Sequence, residues 1–128
     1  SSELKALECL YPQVKTFQLG IQDCMAQNLI SRNTNPFRKE LIYLASALSS
    51  NKYDLFILDE INMAVLLRLL SVDDVLSLIQ ERRENVEMVL TGRSADPRVV
   101  ASADLVTEMT EFRHYYKRGI RAREGIEI

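Results

Sequence analysis

The sequence predicts an α/β fold, a mostly parallel sheet with helices on both faces, and three features point there. The run Leu55-Phe56-Ile57-Leu58 is short and unbroken in its apolar character, the mark of a strand buried on both faces. It runs directly into Asp59 and Glu60, and charges follow a buried strand in this way at its carboxyl end, in the crevice where open α/β sheets bind ligands. A helical pattern precedes this run, and helical and strand patterns alternate after it, as parallel strands require.

A chain of 128 residues fits one domain, residues 1–128, large enough for a single core. Its 47% apolar and 27% charged content is that of a globular protein. With 16 basic against 18 acidic side chains the net charge is −2, which argues against a general nucleic-acid binder. No apolar run is long enough to span a membrane. Glu3, Lys5 and Glu8 interrupt any signal-peptide core. Cys9 and Cys24 have neither metal-ligand spacing nor a disulfide pattern, so a reducing cytoplasm is expected. A single His excludes a multi-histidine metal site within one chain.

Taken in order, residues 1–12 read as a short helix with Leu4, Leu7 and Leu10 on one face, stopped at Tyr11-Pro12. Val14 to Leu19 alternates and ends at Gly20, so a strand is expected there. Residues 20–34 show no clear period, and 31–35 look like a loop. Asn35-Pro36 is a cap followed by a first-turn proline. Phe37, Leu41, Leu44, Ala45 and Leu48 then recur at helical spacing up to Ser49. Beyond Glu60, Ile61 to Leu70 is apolar nearly all round and reads as a buried helix. Ser71 and Asp74 form a capping-box pattern for a helix with the stripe Val72, Val75, Leu76 and Ile79. Val86 to Leu90 reads as the next strand and enters the small-residue turn Thr91-Gly92-Arg93. Asp96-Pro97 starts a short helix carrying Val99 and Val100, and Leu105 to Met109 reads as a further strand. The tail after Arg113 is basic and holds the single His. It is either a solvated end or a lid that brings cations and backbone amides to an anion.

An apolar strand ending in Asp-Glu is also the Walker B pattern of P-loop nucleotide-binding proteins, in which the Asp holds Mg²⁺. The alternative is a plain strand end before an acidic first helical turn. Three blocks occur in one order: Leu58-Asp59-Glu60-Ile61-Asn62, Val89-Leu90-Thr91-Gly92-Arg93, and Ala103 to Met109 with the tail. Together they resemble the P-loop-type ATP:corrinoid adenosyltransferases. The tail matches that family's pattern at His114, Tyr116, Gly119, Ile120, Arg121, Ala122, Gly125, Ile126 and Glu127. The resemblance is strongest over 53–128. It implies a RecA-like P-loop NTPase-type sheet, truncated at the amino end, and usually a homodimer.

The resemblance further implies transfer of the 5′-deoxyadenosyl group of ATP to a Co(I) corrinoid, such as cobalamin, in its synthesis or salvage. The reduced cobalt of the substrate is the nucleophile, so no catalytic Ser or Cys is needed. Asp59 matches the Walker B Asp and would contact Mg²⁺, with Glu60 beside it positioning metal or nucleotide. Arg93 would pair with phosphate oxygens, or alternatively with a strand-end acid. His114 and Arg121 are further ligand-contact candidates. The family's Gly-rich phosphate loop has no counterpart among the four glycines, at 20, 92, 119 and 125, and no Gly-Lys-Ser/Thr occurs. The chain is therefore either the carboxyl-terminal portion of a longer enzyme or a shortened relative. The second possibility includes a non-catalytic corrinoid- or partner-binding protein that has lost the nucleotide site. Loss of a first strand should leave an open sheet edge, so self-association is expected.

Overall fold

The computed structural model describes residues 2–18 and 37–126. Its elements are α1 (Ser2–Glu8), α2 (Arg38–Leu48), β1 (Leu55–Leu58), α3 (Ile61–Leu66), α4 (Val72–Glu81), β2 (Glu87–Leu90) and α5 (Pro97–Ser102). A 3-10 turn follows at Tyr115–Arg118. Among these residues, 37–106 form one unit and 2–18 with 107–126 another.

In the first unit β1 and β2 are parallel, in the register Leu55↔Glu87 to Leu58↔Leu90. Parallel pairing needs a long crossover, and α3 and α4 provide it. The capping box that starts α4 forms as its residues predict. Ser71 Oγ accepts from the Asp74 N–H at 3.1 Å, and Asp74 Oδ2 accepts from the Ser71 N–H at 2.9 Å. Asp96 caps α5 by accepting from the Arg98 N–H at 2.8 Å, with Pro97 in the first turn. Helix α2 packs on α4, and α4 packs on α5.

The core is a cluster of Phe37, Ile61, Leu70, Val75 and Val99. Leu58 and Leu90, the last residues of the two strands, pack against it. Apolar burial thus anchors the carboxyl ends of both strands and the loops that leave them.

Several expectations are corrected. Leu55 and Ile57 are 49% and 61% exposed, so β1 is covered on one face and bare on the other. The fully apolar run reflected strand propensity without two-sided burial. The helix expected over 61–70 stops at Leu66 because Arg68 takes a left-handed backbone (φ 58°) and turns the chain. Leu66 and Leu67 lie exposed as a result, while Leu70 returns to the core. No strand forms at Val14–Gln18 or at 105–109. Leu105 and Met109 are 84% and 94% exposed, so the later segment buries too little apolar surface to hold a strand in place. Helix α1 ends at Glu8, short of the expected Tyr11. Residues 19–36, with the expected Asn35-Pro36 cap and the 31–35 loop, lie outside the described residues; α2 begins at Arg38 with Phe37 in the cap position.

Candidate functional site

The parallel register continues past the strands, so the residue after Leu58 lies beside the residue after Leu90. Those residues are Asp59 and Thr91. The Thr91 hydroxyl donates to Asp59 Oδ1 at 2.6 Å and accepts from the Glu60 N–H at 2.9 Å. Thr91's backbone is engaged too, its N–H donating to the Leu58 carbonyl and its own carbonyl accepting from the Asn62 N–H, both at 3.2 Å. One threonine therefore stitches the whole loop from Leu58 to Asn62 to the end of β2.

Glu60 caps α3 in the left-handed region (φ 57°, ψ 22°), a conformation costly for a residue with a Cβ. The hydrogen bond to Thr91 helps to hold it there. Gly92 follows with φ +122°, and a Cβ on it would stand 3.1 Å from Asn62 Cβ and 3.2 Å from the Met63 nitrogen. The two loops approach this closely only because position 92 is glycine.

Asp59 and Glu60 are both exposed, and Asp59 makes no other hydrogen bond or ion pair among the described residues. Arg93 follows on the same loop, also exposed, and makes no salt bridge among the described residues. The fold thus gathers Asp59, Glu60 and the Thr91-Gly92-Arg93 turn at one end of the sheet. No group of three or more His, Cys, Asp or Glu that could cage a metal occurs among the described residues. A pair of adjacent carboxylates suits Mg²⁺ nonetheless, because Mg²⁺ takes one or two carboxylates and completes its shell with water and phosphate.

His114 and Arg121 belong to the other unit. His114 caps the 3-10 turn through Nδ1, which accepts from the Tyr116 N–H at 3.1 Å. Its ring lies 4.6 Å from that of Tyr115, over which Arg123 is placed at 5.3 Å. Arg121 is exposed in irregular chain after the turn. A shallow groove of about 310 Å³ between α2 and α4, bordered by Arg38, Ile42, Asp74 and Glu81, includes none of Asp59, Glu60, Arg93, His114 and Arg121.

A family model described as ATP:corrinoid adenosyltransferase BtuR/CobO/CobP matches residues 1–128. The chain belongs to this family. Among curated relatives, the corrinoid adenosyltransferase of Pseudomonas aeruginosa is 41% identical over 84 residues, covering 66% of this chain and 41% of the relative. That of a Sinorhizobium species is 38% identical over 73 residues, covering 56% and 34%. That of Escherichia coli is 28% identical over 80 residues, covering 62% and 41%. Each match spans less than half of the relative's own length. Membership in this adenosyltransferase family agrees with the sequence blocks at 58–62 and 89–93, whose strand ends the fold brings side by side.

The part of this family member that sequence reasoning missed is Thr91, noted only as a small residue in a turn. Only the register of the two strands reveals it. Two parallel strands of equal length, each with one polar residue at its carboxyl end, place those residues next to each other.

Proposed function

We infer that this chain supplies the carboxylate end of an ATP:corrinoid adenosyltransferase site. The Co(I) centre of the corrinoid substrate attacks C5′ of ATP, a cobalt–carbon bond forms, the C5′–O bond breaks and triphosphate leaves. The observation that carries this reading is the Asp59 carboxylate, exposed at the carboxyl end of a parallel strand and held from the neighbouring strand end. Asp59, with Glu60 beside it, is the group for Mg²⁺, which when bound offsets the charge of the departing triphosphate. Arg93 supplies a cation on the adjoining loop, while His114 and Arg121, in the other unit, are ligand-contact candidates on the family resemblance alone. No residue of the chain acts as nucleophile. The work of the protein is to orient ATP and corrinoid and to keep water from the reduced metal.

On this reading residues 1–128 act as one adenosyltransferase-like domain on a RecA-like sheet, working in the cytoplasm as a homodimer or larger self-associate. Support for association comes from β1 and β2, each with one unpaired edge among the described residues. No helix among those residues is long and apolar enough to cross a membrane. A second reading, a binding relative without catalysis, is favoured by the lack of a Gly-Lys-Ser/Thr phosphate loop in these 128 residues.

Anaerobic incubation of the chain with Mg²⁺, ATP and chemically reduced cob(I)alamin tests the first reading. A light-sensitive cobalt–carbon product is expected, and Asp59→Asn should slow its formation on the order of 100-fold. Tight corrinoid binding with no product in any condition would select the second reading instead.

A further inference from the structure

The Thr91 hydroxyl has one proton and uses it toward Asp59 Oδ1, while its oxygen accepts from the Glu60 amide. This combination orients the hydroxyl completely, since the amide can only donate and an ionised carboxylate can only accept. The Asp59 side chain is otherwise exposed and has no other hydrogen bond among the described residues, so this contact selects its rotamer. Thr91 is itself pinned through its N–H to Leu58 and through its carbonyl to the Asn62 N–H. Gly92 lets the two loops close on one another.

We propose that Thr91 is a positioning residue that holds Asp59 Oδ1 from the neighbouring strand and so presents Oδ2 to a divalent cation. This rests on the metal-binding reading of Asp59. Without the hydroxyl, an exposed carboxylate samples several rotamers, and binding a cation must first select one of them. Thr91 also accepts from the Glu60 amide, so the Asp59 carboxylate and the Glu60 backbone are both held by one side chain from the end of the other strand. The hydroxyl acts through Asp59 and needs no contact with substrate.

The test uses Mn²⁺ alone as the probe, its free concentration followed by electron paramagnetic resonance, on the full chain and four variants. Asp59→Asn is expected to remove the site. Thr91→Val and Thr91→Ala should weaken Mn²⁺ binding several-fold. Thr91→Ser keeps the hydroxyl and should restore binding to the parent level, a rescue that a purely packing role of the threonine methyl would not produce. Thr91→Ala serves as the second hydroxyl-free variant if Thr91→Val does not fold. Mn²⁺ binding that is lost in Asp59→Asn but undiminished in the folded hydroxyl-free variants overturns the positioning role alone. A parent chain that binds no Mn²⁺ overturns the metal reading of Asp59 together with it.

Discussion

At single residues, the junction after the two strands is set by conformations that sequence composition does not advertise. Glu60 sits left-handed without being glycine, and Gly92 has φ +122° with backbone atoms of the opposing loop where a side chain would start. The close neighbours include the Met63 nitrogen, part of α3, which cannot swing aside as a side-chain tip can. Gly92→Ala is therefore expected to cost more than ~1 kcal/mol, from the left-handed backbone together with the close contact. Denaturant unfolding monitored by circular dichroism would show this as a lower midpoint. An unchanged midpoint would mean that the loops separate easily and that Asp59 is not held as described.

Among the helices, local rules worked where a side chain could satisfy backbone groups within its own turn. The capping box at Ser71/Asp74 and the Asp96 cap followed by Pro97 start α4 and α5 where the residues indicate. Ser71→Ala removes one half of the box and should cost about 1 kcal/mol. By contrast Leu48→Ala, at a side chain with 0% exposure, should cost roughly 2–5 kcal/mol. Measuring the two side by side in urea separates a cap from a core contribution, and equal losses would contradict the packing assigned to Leu48. The same local rules failed for Ile61 to Leu70. An all-apolar decapeptide does not reveal where it will turn, and Arg68 turns it by adopting φ 58°.

In the molecule as a whole, one face of the sheet carries exposed Leu55, Ile57 and Val89. Three apolar side chains side by side on paired strands, each strand with a free edge among the described residues, form a surface suited to another chain. Ile57→Lys places a charge in the middle of that face. It should leave unfolding free energy within about 0.5 kcal/mol, because Ile57 already faces solvent. Sedimentation velocity should show less self-association than in the parent chain. A parent chain that is monomeric at all concentrations would remove the basis for the homodimer.

Much of the candidate site was legible from residue order. Asp59 and Glu60 were marked by charges placed directly after an apolar strand, and Arg93 by its place after the next one. The helix starts at Ser71 and Asp96 were legible because capping is a contact between residues close in sequence. The strands expected at 14–19 and 105–109 do not form at 14–18 or 105–109, because alternation says only that a segment fits a sheet, and a strand also needs a neighbour to pair with. The role of Thr91 was hidden for the same reason, since its partner Asp59 follows another strand and only the parallel register brings the two within 2.6 Å. Contacts within one turn are written in the order of residues, whereas contacts between strands exist only once the chain has chosen which strands lie together.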